Sequence, residues 1–184
     1  MMAMGESPTG FAPDAPLYAH VVRDATPADA SSIAALYNVH VRETTVTFEL
    51  DEVDDLAMAG RVVDVQTRGL PWLVLAAGTR MLGYAYASPW KPRAGYARTV
   101  ETSIYLAEAA CGQGLGTQLY SALLARLRAA GMHGAIGGTA LPNPSSVALH
   151  ERLGFEHVGV FREVGCKFGR WIDVGYWYVR LAAE

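Results

Sequence analysis

The sequence predicts one mixed α/β domain in which about seven strands and about four helices do not simply alternate. Three observations carry that reading. The patterns run strand, two helices, three strands, helix, strand, helix, two strands, which is not a plain βαβ succession. Of the 184 residues 51% are hydrophobic, enough for one substantial core. No repeat or low-complexity segment interrupts residues 20–184.

Each element has its own signal. "HVVRDA" (20–25) is a short apolar strand. Thr26 as N-cap and Pro27 at the first helical position open a helix running to Glu43, with Ile33, Leu36, Tyr37 and His40 on one face. "TTVTFEL" (44–50) is β-branched and aromatic, an extended loop or short strand. A second helix is expected over 51–69, entered through acidic residues and closed by Gly69. "PWLVLAAGTRMLGYAYAS" (71–88) reads as two strands joined at Gly78–Thr79, and "TVETSIYL" (99–106) as a third. Leu115, Leu119, Leu123 and Leu127 recur every four residues over 115–130, with Gly131 placed to end the helix. "HGAIGGTAL" is a glycine-bearing strand, and "NPSSVALHERLGF" a short helix that stops at Gly154. "FEHVGVFR" (155–162) and "WIDVGYWYVRL" (171–181) close the domain.

Composition excludes several classes. Net charge is −3 with the signs mixed and no basic run, so nucleic acid is not an expected partner. Cys111 and Cys166 have no metal-type spacing and read as reduced thiols of a cytoplasmic protein; no metal is expected. The apolar stretches are too short and interrupted to span a bilayer. Residues 1–19, rich in Gly, Pro and Ala and without signal-peptide character, read as a flexible extension of a domain covering 20–184.

The functional question is posed by "CGQGLG" (111–116), a glycine loop opening a helix. Free N–H groups and a partial positive charge at a helix N-terminus suit a phosphate, and glycines let it approach. The NTPase type of loop requires Lys before Ser/Thr, whereas Gly116 runs directly into Thr117. The dinucleotide type requires a third glycine where Thr117 stands. A ligand-free turn is the competing reading, since such loops are weak signals alone.

The second half of the chain resembles the GNAT superfamily of acyl-CoA-dependent N-acetyltransferases, whose signature is Gln/Arg-x-x-Gly-x-Gly/Ala. Gly114 and Gly116 match the small positions, and Cys111 stands where Gln or Arg is usual. "YASPWKPRAGYARTVETSIYL", "LPNPSSVALHERLGF" and "VGCKFGRWIDVGYW" resemble the phosphinothricin and methionine sulfoximine N-acetyltransferase branch, over about 20–181. The resemblance implies a twisted, mostly antiparallel sheet, acetyl-CoA as co-substrate and a homodimer built partly by "GCKFGRWIDVGYW". It implies direct acetyl transfer, in a ternary complex, to the α-amino group of phosphinothricin, methionine sulfoximine or methionine sulfone.

The resemblance also assigns residues. Glu101 is implied as general base; by its place in an apolar strand it is either at a cleft edge or facing water. His150, seven residues after Asn143, is implied as a proton-moving group; the residue pattern equally allows a packed helix histidine. Arg93 and Tyr96, with Lys91, are implied to grip an anionic substrate, and the bland reading of "WKPRAGYAR" is a basic surface loop. Phe48 walls the pocket or packs in the core. Backbone groups of Ile104 and Leu106 are implied to hold the pantetheine arm, and Gln113, Gly114, Gly116 and Thr117 the pyrophosphate. Asn143 reaches the cofactor or simply enters its helix. Two alternatives stand: a different acceptor amine, or a non-catalytic acyl-CoA-binding module, which Cys111 keeps open and Glu101, His150 and Asn143 oppose.

Overall fold

The structure, a computed structural model, describes residues 20–181. The extension expected over 1–19 lies outside the described residues. The strands are β1 (His20–Asp24), β2 (Trp72–Ala77), β3 (Arg80–Pro89), β4 (Thr99–Leu106), β5 (Gly134–Ala140), β6 (Glu156–Lys167) and β7 (Arg170–Arg180). The helices are α1 (Ala30–Glu43), α2 (Asp55–Thr67), α3 (Leu115–Ala129) and α4 (Pro144–Arg152). One seven-stranded sheet runs in the order β1-β2-β3-β4-β5-β7-β6. Every neighbouring pair is antiparallel except β4–β5.

Alternation along β4 divides the sheet into two faces. Tyr105 stacks on Tyr84 and meets Tyr37 of α1 edge-on, so Ser103, Tyr105 and Glu101 belong to the α1–α2 face. Thr102 bonds Tyr120 of α3, so the even-numbered residues belong to the α3–α4 face. Helices on both sides explain why "WLVLAA" is buried almost throughout despite its antiparallel neighbours. On α3 the expected stripe is the one that packs: Leu119, Leu123 and Leu127 are fully buried.

Three elements differ from expectation. A 3-10 turn, Pro27–Asp29, precedes α1, and the Asp29 carboxylate reaches back to the Thr26 N–H at 2.8 Å. Arg23 holds the same carboxylate at 2.6 Å, and its pKa falls to about 2, chiefly through that bond. α2 starts four residues later than its acidic run, because Asp54 accepts from Ala57 N–H at 2.7 Å and caps it there. β6 continues to Lys167 rather than ending at Arg162. Two register shifts let it keep pairing with β7, and Asp173 takes up the N–H of Glu163, whose φ is +50°.

Candidate active site

The parallel pairing of β4 and β5 ends at Thr102 and Gly137, yet both strands run on, to Leu106 and Ala140. Their parting opens a slot through the sheet. Residues 102–105 form one edge and 138–140 the other; Asn143, Ser146 and His150 of α4 lie beneath, and Val46 borders it from the α1–α2 side.

At one end of the slot lies the glycine loop. Gly112 and Gly114 have φ of +73° and +78°, a region other residues avoid, and Gly114 is the N-cap of α3. Gly116 is glycine for a different reason. A Cβ there would sit 2.9 Å from Leu106 Cδ1 and 3.6 Å from a Leu149 methyl, so α3 could not approach β4. No side chain caps α3, and the first N–H to bond within the turn is that of Gln118, to Gly114 O at 3.1 Å. The preceding N–H groups of Leu115, Gly116 and Thr117 therefore converge with the helix dipole as an anion site that fits a pyrophosphate. The Gln113 side chain turns back and donates to Ala109 O at 2.6 Å.

Glu101 stands on the α1–α2 face, paired with Ile136 of β5 and half-buried. Burial pushes its pKa up, and Lys91 partly opposes this. A Cβ on Gly138 would lie 3.4 Å from Glu101 Oε1 and 3.3 Å from Tyr176, so glycine leaves room beside the carboxylate. Tyr176 meets Trp90 edge-on at 6.0 Å and Phe161 at 5.5 Å, and Lys91 Nζ lies 4.9 Å above Trp90. The carboxylate thus occupies a recess with aromatic walls and one nearby cation.

His150 lies on the opposite face, packed against Gly137, and is 3% exposed. Its Nδ1 lies 2.7 Å from Ser146 O, which requires Nδ1–H. Its Nε2 lies 3.1 Å from Tyr120 OH, which lies 2.7 Å from Thr102 Oγ1. Burial pushes the His150 pKa down, favouring the neutral ring. Hydroxyl hydrogens then run from Thr102 to Tyr120 to Nε2. A charged ring reverses them, with Thr102 donating to Ile136 O at 3.0 Å. Gly137 and Gly138 are adjacent, so the sheet itself separates His150, which lines the slot, from Glu101, which stands on the other face beside Gly138 at the slot's edge strand.

The remaining expected residues divide. Asn143 caps α4, accepting from Ser146 N–H at 3.1 Å, and also lines the slot. Ile104 does too, while Leu106 packs under Gly116. Lys91 joins the Glu101 recess, whereas Arg93 and Tyr96 lie on an exposed 3-10 turn at Ala94–Tyr96. The Phe48 ring packs against Gly165 of β6, in the space a Cβ there would fill. Thr102, Tyr120, Tyr176 and Val46 were not expected at the site. Tyr120 carried a signal: a tyrosine inside a leucine stripe needs a hydroxyl partner. Among the described residues, no group of three His, Cys, Asp or Glu side chains could hold a metal.

Residues 22–175 match the family described as Acetyltransferase (GNAT) domain. The chain is 40% identical over 162 residues to phosphinothricin N-acetyltransferase of Streptomyces coelicolor, covering 86% of this chain and 94% of that protein. It is 41% identical to the L-methionine sulfoximine/L-methionine sulfone acetyltransferase of Pseudomonas aeruginosa, covering 87% and 94%. Its fold matches a GNAT superfamily phosphinothricin acetyltransferase of Sinorhizobium meliloti solved in complex with acetyl-CoA, at a TM-score of 0.84, 36% identity and 88% of each chain.

Proposed function

The chain belongs to the GNAT acetyltransferases, and on that premise we propose that it acetylates the α-amino group of phosphinothricin, methionine sulfoximine and methionine sulfone. The observation that carries the mechanism is Glu101: a half-buried carboxylate with a raised pKa beside Gly138, which lines the slot through the sheet. Amino-acid amines arrive as ammonium ions at neutral pH. Glu101 accepts that proton, directly or through a water, and burial brings its pKa closer to the working pH.

Acetyl-CoA supplies the thioester. Ile104 and Leu106 would hold its pantetheine arm by backbone groups, the 113–117 turn its pyrophosphate, and Asn143 the thiol end. The freed amine attacks from the Glu101 face, in a ternary complex without an acetyl-enzyme; neither Cys111 nor Cys166 lines the slot. His150 borders the slot from the other face; with its ring neutral, it is the group proposed to take up, through Tyr120 and Thr102, the second proton that the attacking nitrogen sheds, and to return it to the leaving thiolate. Arg93, Tyr96 and Lys91 grip the substrate's anionic end, and Phe48 backs the wall. Two exposed free thiols suit a reducing cytoplasm. The β6–β7 hairpin exposes Phe161, Val164, Phe168 and Trp171, apolar surface that fits a homodimer.

The test follows free thiol released from acetyl-CoA with methionine sulfoximine, phosphinothricin, spermidine and a short peptide as acceptors. Release with the first two alone is expected. Release only with spermidine or the peptide refutes the acceptor assignment. Tight acetyl-CoA binding with no release from any acceptor refutes catalysis.

A further inference from the structure

Lys167, at the end of β6, is 2% exposed, a rare place for an ammonium group. Its Nζ donates to Thr47 O at 2.7 Å and to His40 O at 3.3 Å. His40 belongs to the last turn of α1, where carbonyls carry the partial negative charge of the helix. Thr47 lies midway along residues 44–50, which form no helix or strand. That segment is held by side-chain chemistry instead. Tyr37 OH meets Thr47 Oγ1 at 2.6 Å, Arg61 pairs with Glu49 at 2.7 Å, and Phe48 lies on Gly165. Just before these ties Val46 is presented to the slot, beside Ser103 and Tyr105, on the face that bears Glu101.

A buried cation is a costly filler, since its desolvation must be offset by hydrogen bonds, and an apolar side chain of similar volume would pack at least as well. What an apolar residue lacks is donors that join the β6–β7 hairpin both to the last turn of α1 and to the loop that follows it. We propose that Lys167 is a positioning residue for the acceptor. Its buried ammonium staples residues 44–50 to the end of α1 and to the β6–β7 hairpin, and so sets the wall against which the amine-bearing substrate is held. This rests on the acetyltransferase reading, with the acceptor on the Glu101 face.

The experiment compares the full-length wild type with Lys167→Met, measuring the acceptor KM, kcat, the acetyl-CoA Kd and amide hydrogen exchange over 44–50. The acceptor KM is expected to rise about tenfold or more while the acetyl-CoA Kd holds, the pattern of lost ground-state binding on one side only. Exchange is expected to quicken over 44–50. An unchanged acceptor KM, or an equal loss of affinity for both substrates, overturns the proposal. If Lys167→Met does not fold, Lys167→Gln, which keeps a shorter neutral donor, is read by the same ratio. Failure of the wild type to acetylate any acceptor would refute the functional reading instead. Exchange over 44–50 would then decide the staple alone, and unchanged exchange would overturn it.

Discussion

The Tyr120 hydroxyl offers a clean perturbation, because Tyr120→Phe removes one oxygen from a fully buried residue and leaves its volume almost unchanged. The oxygen has two partners, Thr102 Oγ1 at 2.7 Å and His150 Nε2 at 3.1 Å. Thr102 keeps an alternative acceptor in Ile136 O at 3.0 Å, so its loss is small. Nε2 has no such alternative. With Nδ1–H committed to Ser146 O, the neutral ring is left with a buried acceptor unmet, at a cost of ~1–3 kcal/mol. Part is returned because phenylalanine is easier to bury than tyrosine. The expected net loss is about 1–2 kcal/mol, a fall in Tm of roughly 2–8 °C for a chain of this size. Urea unfolding should show a lower midpoint at constant m-value. In the double variant Tyr120→Phe/His150→Leu both partners are apolar, so its loss should be smaller than the sum of the singles. A Tyr120→Phe variant as stable as the wild type, with additive singles, would refute the chain of hydrogen bonds.

Glu101→Gln should lower kcat by about a hundredfold or more if the carboxylate is the base, and saturating-substrate turnover checks it. Because burial raises the Glu101 pKa, activity should fall with decreasing pH before the usual carboxylate range is reached. Lys91 opposes that rise, so Lys91→Gln should move the acid limb of kcat/KM to higher pH; a limb that stays put removes Lys91 from the recess. Asp29 has its pKa lowered to about 2, so its bonds to Arg23 and Thr26 stabilise the fold above the unfolded carboxylate value and are lost as pH falls toward 2. Asp29→Asn should therefore be less stable than the wild type at pH 7, with the gap closing below about pH 3, as read by denaturation at several pH values.

What could be read in advance follows the range over which each signal acts. The leucine stripe of α3, the alternation of β4 and the hairpin at Gly78 are written in neighbouring residues and appear where expected. The glycine loop is equally local, although its glycines answer to different demands: Gly114 to a backbone angle, Gly116 to the approach of Leu106. The length of β6 was hidden because bulges break the period-2 pattern that announces a strand. Tyr120 and His150 are 30 residues apart, and Lys167 and His40 are 127 apart, so no spacing rule joins them. Only the fold brings the Tyr120 hydroxyl to His150 and the Lys167 ammonium to the end of α1.

The parting of β4 from β5 explains why the site has two kinds of chemistry. A continuous sheet would isolate its faces, because side chains alternate and the backbone between them is fully paired. Here pairing stops at Thr102 and Gly137, just beyond Glu101, and the next residues are free to border an opening. Glu101, its pKa raised by burial, stands on one face beside Gly138, which borders the opening; His150, its pKa lowered by burial, lines it from the other with its chain of hydroxyls. On the proposed function the two substrates approach from opposite faces and meet at the level of the sheet, with Glu101 on one side and His150 on the other. Gly137 and Gly138 make this geometry possible. Any Cβ at the first would strike the His150 ring, and one at the second would crowd Tyr176 and Glu101. Adjacent glycines in a strand weaken it, and their presence here is explained by what must stand on each side of them.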